Sequence, residues 1–169
     1  HLINPKRAEI NGRACLASVD RLPDGVDVAV LAIPQSAVLE NVRALAARKV
    51  GAVVIFSAGF AEAGEEGLAQ QHEMAEIARQ HGMVIEGPNC LGCINYLDRV
   101  PLTFVEVNMA AKSSAPVVRP SIGVVSQSGA MMTVLCTTLA SRELPLSYAV
   151  STGNEAASHA EDYVEFLLE

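Results

Sequence analysis

The stretch Val26-Asp27-Val28-Ala29-Val30-Leu31-Ala32-Ile33-Pro34, together with the apolar series Val38, Val42, Leu45 and Ala46 and the run Ala52-Val53-Val54-Ile55-Phe56, decides the fold. The first run is short, rich in β-branched residues and stopped by proline, as expected of a strand buried on both faces. The middle series recurs at helical spacing between Ser36 and Lys49. Arg48 and Lys49 suit the negative pole of that helix, and Gly51 is expected to stop it. The third run is another strand. Strand, helix and strand at this spacing predict a parallel pair joined by a right-handed crossover.

The same unit repeats outward from there. A turn spanning residues 57–64 leads to a helix from Glu65 to Gln80, with Gly82 as its expected cap, and Met83-Val84-Ile85 forms a third strand closed by Gly87-Pro88-Asn89-Cys90-Leu91-Gly92. Between Val105 and Pro120 the periodicity dissolves into small and polar residues bracketed by proline. A boundary is expected there. The pattern restarts with the strand Ile122-Gly123-Val124-Val125, the turn Ser126-Gln127-Ser128-Gly129 and a helix with Met132, Leu135, Cys136 and Leu139 on one face. A strand from Leu146 to Val150 then runs through Ser151-Thr152-Gly153-Asn154 into a last helix, for which Ser158 and Glu161 are expected to form a capping box. The expected organisation is one α/β domain over 1–107, a linker over 108–120 and the start of a second α/β domain over 121–169. The chain opens at His1 and runs at once into Leu2-Ile3-Asn4-Pro5, which reads as the end of a strand already under way. Further sequence is expected on either side.

Composition narrows the function. Twelve Lys and Arg against nineteen Asp and Glu leave a net charge of −7, which excludes the basic footprint of a nucleic-acid binder. Aromatic residues make up 4% and Trp is absent, so there is no platform for stacking bases. The chain is half hydrophobic, enough to bury a real core. No apolar run approaches the roughly 18 residues needed to cross a bilayer. Neither nucleic acid nor a membrane is expected as a partner, and a cytoplasmic location is. Four cysteines, Cys15, Cys90, Cys93 and Cys136, are too few and too apolar in setting for a disulfide framework.

In an open parallel sheet, ligands bind beyond the carboxyl ends of the strands. Four turns lie there: Ile33-Pro34-Gln35-Ser36, Ser57-Ala58-Gly59-Phe60, Gly87-Pro88-Asn89-Cys90 and Ser126-Gln127-Ser128-Gly129. Each offers small residues or backbone amides to a bulky or anionic ligand. The plainer reading is that α/β loops need Gly, Pro and Ser merely to turn.

The joint wording of these segments favours the ligand. Asn4-Pro5-Lys6, Ser57-Ala58-Gly59-Phe60-Ala61-Glu62, Gly87-Pro88-Asn89-Cys90-Leu91-Gly92, Ser126-Gln127-Ser128-Gly129 and Gly153-Asn154, in that order over nearly the whole chain, resemble the NDP-forming acyl-CoA synthetases, relatives of the succinyl-CoA synthetase alpha subunit. The resemblance implies a Rossmann-like CoA-binding domain followed by a flavodoxin-like domain. It implies CoA and a small carboxylic acid as substrates. It further implies ATP or another NTP with Mg, bound by an ATP-grasp domain or subunit outside this chain, an acceptor histidine also outside it, and an oligomeric intact enzyme. By the same resemblance, Lys6 would lie near the CoA phosphates. Pro34, Gln35, Ser57, Ala58, Gly59 and Phe60 would line the adenine and pantetheine path, and Asn89 and Cys90 would stand near the thiol end. Ser126, Gln127, Ser128 and Gly129 would hold a phosphate at a helix N-terminus, where free amides and the helix dipole favour an anion. Glu62, in a ligand-side turn, is counted as a CoA or substrate contact.

Other readings are weaker. Cys90-Leu91-Gly92-Cys93 has redox or zinc spacing, but no second pair completes a tetrahedral site, so no metal is expected. A nucleophile elbow needs Gly two residues to each side of the Ser, and neither Ser126 nor Ser128 has it. His159 sits at a helix start, and His72 and His81 lie on or after a surface helix, each adequately explained as solvated. Glu65-Glu66 suits a helix N-terminus. Two rival functions share this fold class: a regulatory domain of a protein lysine acetyltransferase and a non-enzymatic NAD-binding module. Against the latter, no G-x-G-x-x-G occurs.

Overall fold

The structure is a computed structural model that describes residues 1–107 and 121–168. The linker expected at 108–120 lies outside the described residues. Three short strands open the chain: β1 (Leu2–Ile3), β2 (Glu9–Ile10) and β3 (Arg13–Leu16). β1 runs parallel to β3, and β2 pairs antiparallel with it. Asn11 and Gly12 join β2 to β3, both at positive φ (50° and 77°), which is the two-residue hairpin turn an Asn-Gly pair favours. No alternation marks this hairpin in the sequence, because each strand is only two to four residues long.

The first repeated unit follows as β4 (Val28–Leu31), α1 (Gln35–Ala47), β5 (Ala52–Ile55), α2 (Glu65–His81) and β6 (Val84–Glu86). These strands form a parallel sheet in the order β4-β5-β6, as the crossover argument requires. The apolar series of α1, Val38, Val42, Leu45 and Ala46, is buried against Leu31, Val53, Ile55 and Ile85 of the strands and against Met74 and Ala78 of α2. α1 ends at Ala47, earlier than expected, because Lys49 takes a left-handed conformation (φ 57°) before Gly51 is reached. α2 ends on Gly82, also left-handed, as expected.

The second sheet is mixed. It contains β7 (Gly92–Asn95), β8 (Val100–Thr103), β9 (Ile122–Ser126) and β10 (Leu146–Ser151) in the order β8-β7-β10-β9. The strands β9 and β10 are parallel, joined through α3 (Gly129–Ser141), while β7 and β8 add to β10 as an antiparallel hairpin. Asn95 closes the hairpin turn: its carboxamide donates to the Asp98 carboxylate (2.8 Å) and accepts from the Asp98 amide (3.0 Å). The sheet's core is Ile94, Val124, Met132, Cys136 and Ala149.

The last helix, α4 (Ala160–Leu168), starts one residue later than the Ser158/Glu161 box requires. Asp162 instead reaches back to the His159 amide (2.8 Å), so the reciprocal contact exists in the register His159/Asp162.

Candidate functional site

The turns after β5, β6, β9 and β10 converge on one another. After β5, the Ser57 hydroxyl donates to the Ile33 carbonyl (2.5 Å), tying this turn to the one after β4. A Cβ at Gly59 would stand 3.1 Å from Cγ of Gln35, whose amide in turn donates to Gln70 (2.7 Å). Phe60 is fully buried in the core, which anchors the turn. Glu62 folds back over the turn and accepts from the amides of Gly59 (2.5 Å) and Phe60 (3.3 Å). Burial opposes the charged form of Glu62, but these amides together with the Asn154 carboxamide outweigh it and hold the carboxyl below its ordinary range.

After β6, the Asn89 amide donates to the Ser57 carbonyl (2.9 Å), joining the two turns. The turn after β10 then docks onto both. The Asn154 amide donates to the Pro88 carbonyl (2.9 Å) and the Ala156 amide to the Gly87 carbonyl (3.0 Å). Gly153 is required by this approach: it sits at φ 63°, and a Cβ there would lie 2.3 Å from the Pro88 oxygen. The Asn154 side chain is the junction. Its Nδ2 donates to Glu62 and to Gln71 (3.1 Å), and its Oδ1 accepts from Asn89 (3.3 Å).

The turn after β9 completes the ring. Ser128 caps α3, its hydroxyl accepting from the Met131 amide (3.3 Å), and the Ser126 hydroxyl donates to the Ser128 carbonyl (2.9 Å). Because the first amides of a helix have no intrahelical acceptor, Gly129 and Ala130 present N–H groups to whatever lies in front of them. What lies there is a cavity of about 580 Å³. A Cβ on Gly129 would sit 2.2 Å from Cγ of Leu91, so only glycine lets the helix start close against the turn after β6.

The cavity brings together Glu62, Asn89 and Cys90 from the expected CoA side with Gln127, Ser128 and Gly129 from the expected phosphate side. Ser126 braces it from behind. Pro34, Gln35 and the segment from Ser57 to Gly59 lie outside the cavity lining, at least partly exposed, Phe60 lies in the core, and Lys6 is exposed with its amide held by Asn4 (2.9 Å). Asn154, Gly153, Leu91, Phe56 and Phe104 also line the cavity and were not assigned to it from the sequence. For Asn154 the signal was present, since the Gly153-Asn154 turn follows a strand. For Phe104, which follows β8, the signal was hidden with the hairpin itself.

Cys90 is buried, its thiol directed at the Ile55 carbonyl (3.3 Å). Burial, and then the nearby Glu86 charge, push this thiol up to about 12. Cys93 is raised by the same causes. Both are free, and among the described residues no three His, Cys, Asp or Glu side chains are placed to hold a metal ion. His159 stands 3.7 Å from Glu155 at the start of α4. Among the described residues no helix is long and apolar enough to cross a membrane.

The loops of two α/β sheets converge on a cavity with a helix N-terminus on one wall, the arrangement that suits an anionic ligand in proteins of this architecture. The comparisons with known proteins make it specific. A model for "CoA binding domain" matches residues 1–96, more than half of the chain, and one for "Succinyl-CoA ligase like flavodoxin domain" matches residues 119–169. The chain belongs to the CoA binding domain family. It is 58% identical over 167 residues to a trans-feruloyl-CoA synthase of an unknown prokaryotic organism, and 35% identical over 167 residues to an ADP-forming acetate–CoA ligase of Archaeoglobus fulgidus. Each comparison covers 99% of this chain, which spans 23% of the length of each relative. Among solved structures, a Pyrococcus horikoshii protein superposes with a TM-score of 0.85 at 33% identity, covering 98% of this chain and 36% of that one. A dinucleotide-forming acetyl-coenzyme A synthetase of Ca. Korarchaeum cryptofilum, in complex with phosphate and ADP, superposes with a TM-score of 0.81 at 30% identity, covering 97% of this chain and 33% of that one.

Proposed function

We propose that this chain is the CoA-binding portion of an NDP-forming acid–CoA ligase, which converts acid, CoA and NTP into acyl-CoA, NDP and phosphate. One observation carries the reading: the cavity joins the turn Asn89-Cys90-Leu91 to the N-terminus of α3, so a thiol end and a phosphate can occupy one enclosure. In this reading Lys6 offsets the charge of the CoA phosphates, and Pro34, Gln35 and residues 57–60 line the path of the adenine and pantetheine. Asn89 orients the thiol end through its carboxamide. The amides of Gly129 and Ala130, with Gln127 and the Ser128 hydroxyl, hold the phosphate of the activated acid, an arrangement supported by the helix dipole. Cys90 shapes the wall and stays protonated.

The nucleotide, with Mg, is assigned to an ATP-grasp domain or partner subunit outside this chain, and the acceptor of the phosphoryl group to a histidine there. The intact enzyme is assigned as a cytoplasmic oligomer. The relatives are CoA ligases, which leaves the acetyltransferase-regulator and NAD-module readings without support. The relative at 58% identity is a feruloyl-CoA synthase, which favours an aryl-acrylic acid as the substrate. Calorimetric titration of the chain with CoA and with NAD tests the reading. Binding of CoA with NAD silent is expected. NAD binding with CoA silent would overturn it.

A further inference from the structure

Besides its polar residues, the cavity lining includes an apolar group with no role so far. Phe56, just past β5, and Phe104, just past β8, meet edge to face with ring centroids 4.9 Å apart and planes at 72°. Leu91 extends this group toward Gly129. Phe104 remains 60% exposed although it lines the cavity, so it offers surface that nothing in the described residues covers. Its position is nonetheless fixed. The Thr103 hydroxyl donates to the Leu91 carbonyl (2.6 Å) and accepts from the Val105 amide (3.2 Å), pinning the backbone on both sides of Phe104 to the turn that carries Asn89 and Cys90.

We infer that Phe104, backed by Phe56 and Leu91, is the subsite for the hydrocarbon part of the acyl group, and that it selects an aromatic acid. The inference rests on the ligase reading above. An acid whose carboxyl carbon lies between the thiol end at Asn89 and the amides of Gly129 and Ala130 must direct its remaining atoms to another wall of the same cavity. Glu62, Asn89, Asn154 and Gln127 make the polar walls unsuitable for a hydrocarbon. The phenylalanine pair is the remaining one. An acetyl group is too short to use it, whereas a flat ring on a rigid two-carbon spacer can stack on or edge against Phe104, an arrangement worth more than its buried area alone.

The test compares CoA, acetyl-CoA and feruloyl-CoA binding to the chain by calorimetry, in the wild type and in Phe104→Ala and Phe104→Trp. The common CoA part anchors all three ligands, so ratios of affinity isolate the acyl group. Feruloyl-CoA is expected to bind about tenfold tighter than acetyl-CoA to the wild type and to the Trp variant, and the ratio is expected to fall to about one in the Ala variant. A wild-type ratio near one, or a ratio that Phe104→Ala leaves unchanged, would overturn the inference while leaving the ligase reading intact. Failure of CoA itself to bind the wild type would overturn both.

Discussion

The Asn154 carboxamide donates to the Glu62 carboxylate across 92 positions of sequence, and this contact ties the second sheet to the first at the edge of the cavity. Glu62 in turn gathers the amides of Gly59 and Phe60, so the turn after β5 and the turn after β10 share one hydrogen-bonded junction. The consequence is that a residue of the flavodoxin-like part shapes a turn proposed to contact CoA.

Replacing Asn154 by Ala removes donors to Glu62 and Gln71 and an acceptor for Asn89. A loss of about 1–2 kcal/mol in urea-induced unfolding is expected, together with a weaker affinity for CoA. A variant as stable as the wild type, with CoA affinity unchanged, would show the junction to be incidental.

Ser128→Asp separates the structural role of the α3 N-terminus from its proposed role. Aspartate serves as an N-cap about as well as serine, so the unfolding midpoint is expected to stay within a few degrees of the wild type. Its charge, however, stands where a phosphate is proposed to sit, and like charges in a partly desolvated site repel. Inorganic phosphate is therefore expected to bind the variant at least tenfold more weakly. Undiminished phosphate binding would remove the role assigned to this turn.

Glu86, at the end of β6, gives the chain a pH dependence of stability. It is 5% exposed, one carboxylate oxygen has no partner among the described residues, and burial pushes it up to about 7 despite a hydrogen bond with Cys93. Cys90, Cys93 and Tyr163 carry nearby titratable groups, all raised by burial and by the Glu86 charge, so they stay neutral across the range where Glu86 titrates. Since the folded chain holds this proton more tightly than the unfolded one, the stability it contributes is complete below about pH 4.5 and is lost as pH rises through about 7. Glu86→Gln is expected to flatten that decline, gaining on the wild type by on the order of 3 kcal/mol between pH 4.5 and pH 8. Parallel stability profiles for the two proteins would contradict the assignment.

The parts of the fold that were legible in the sequence share a physical basis. The strands β4, β5, β9 and β10 are short apolar runs near Gly or Pro, and α1 and α2 carry several turns of periodic apolar residues, so the local pattern places the elements. Burial on both faces, expected of β4, is not found: only Leu31 of that strand is buried and Val30 is 40% exposed, because β4 is an edge of its sheet. The hairpins were not legible in the same way. β2 and β3 are too short for alternation to register, although Asn11-Gly12 carries the turn chemistry that could have revealed them. β8 contains Pro101, which interrupts the pattern of a strand, yet β8 is the edge of its sheet, where a missing amide can be tolerated. Missing that hairpin concealed Phe104, and with it the apolar wall. Glu62 and Asn89 could be placed at the site because each follows a strand in the direction of the sheet's ligand-binding edge. Their meeting with Asn154 could not, since it depends on how two sheets sit against each other, which no local pattern encodes.

One cavity is proposed to receive both the thiol end of CoA and a phosphate, and amide chemical-shift mapping of the chain tests this most directly. Titration with CoA is predicted to shift the amides of Gly59, Phe60, Glu62, Asn89, Cys90 and Leu91. Inorganic phosphate added to the CoA complex is predicted to shift those of Gln127, Ser128, Gly129 and Ala130. Saturable CoA binding that leaves the amides from Asn89 to Leu91 unmoved, or phosphate shifts that map away from the start of α3, would contradict it.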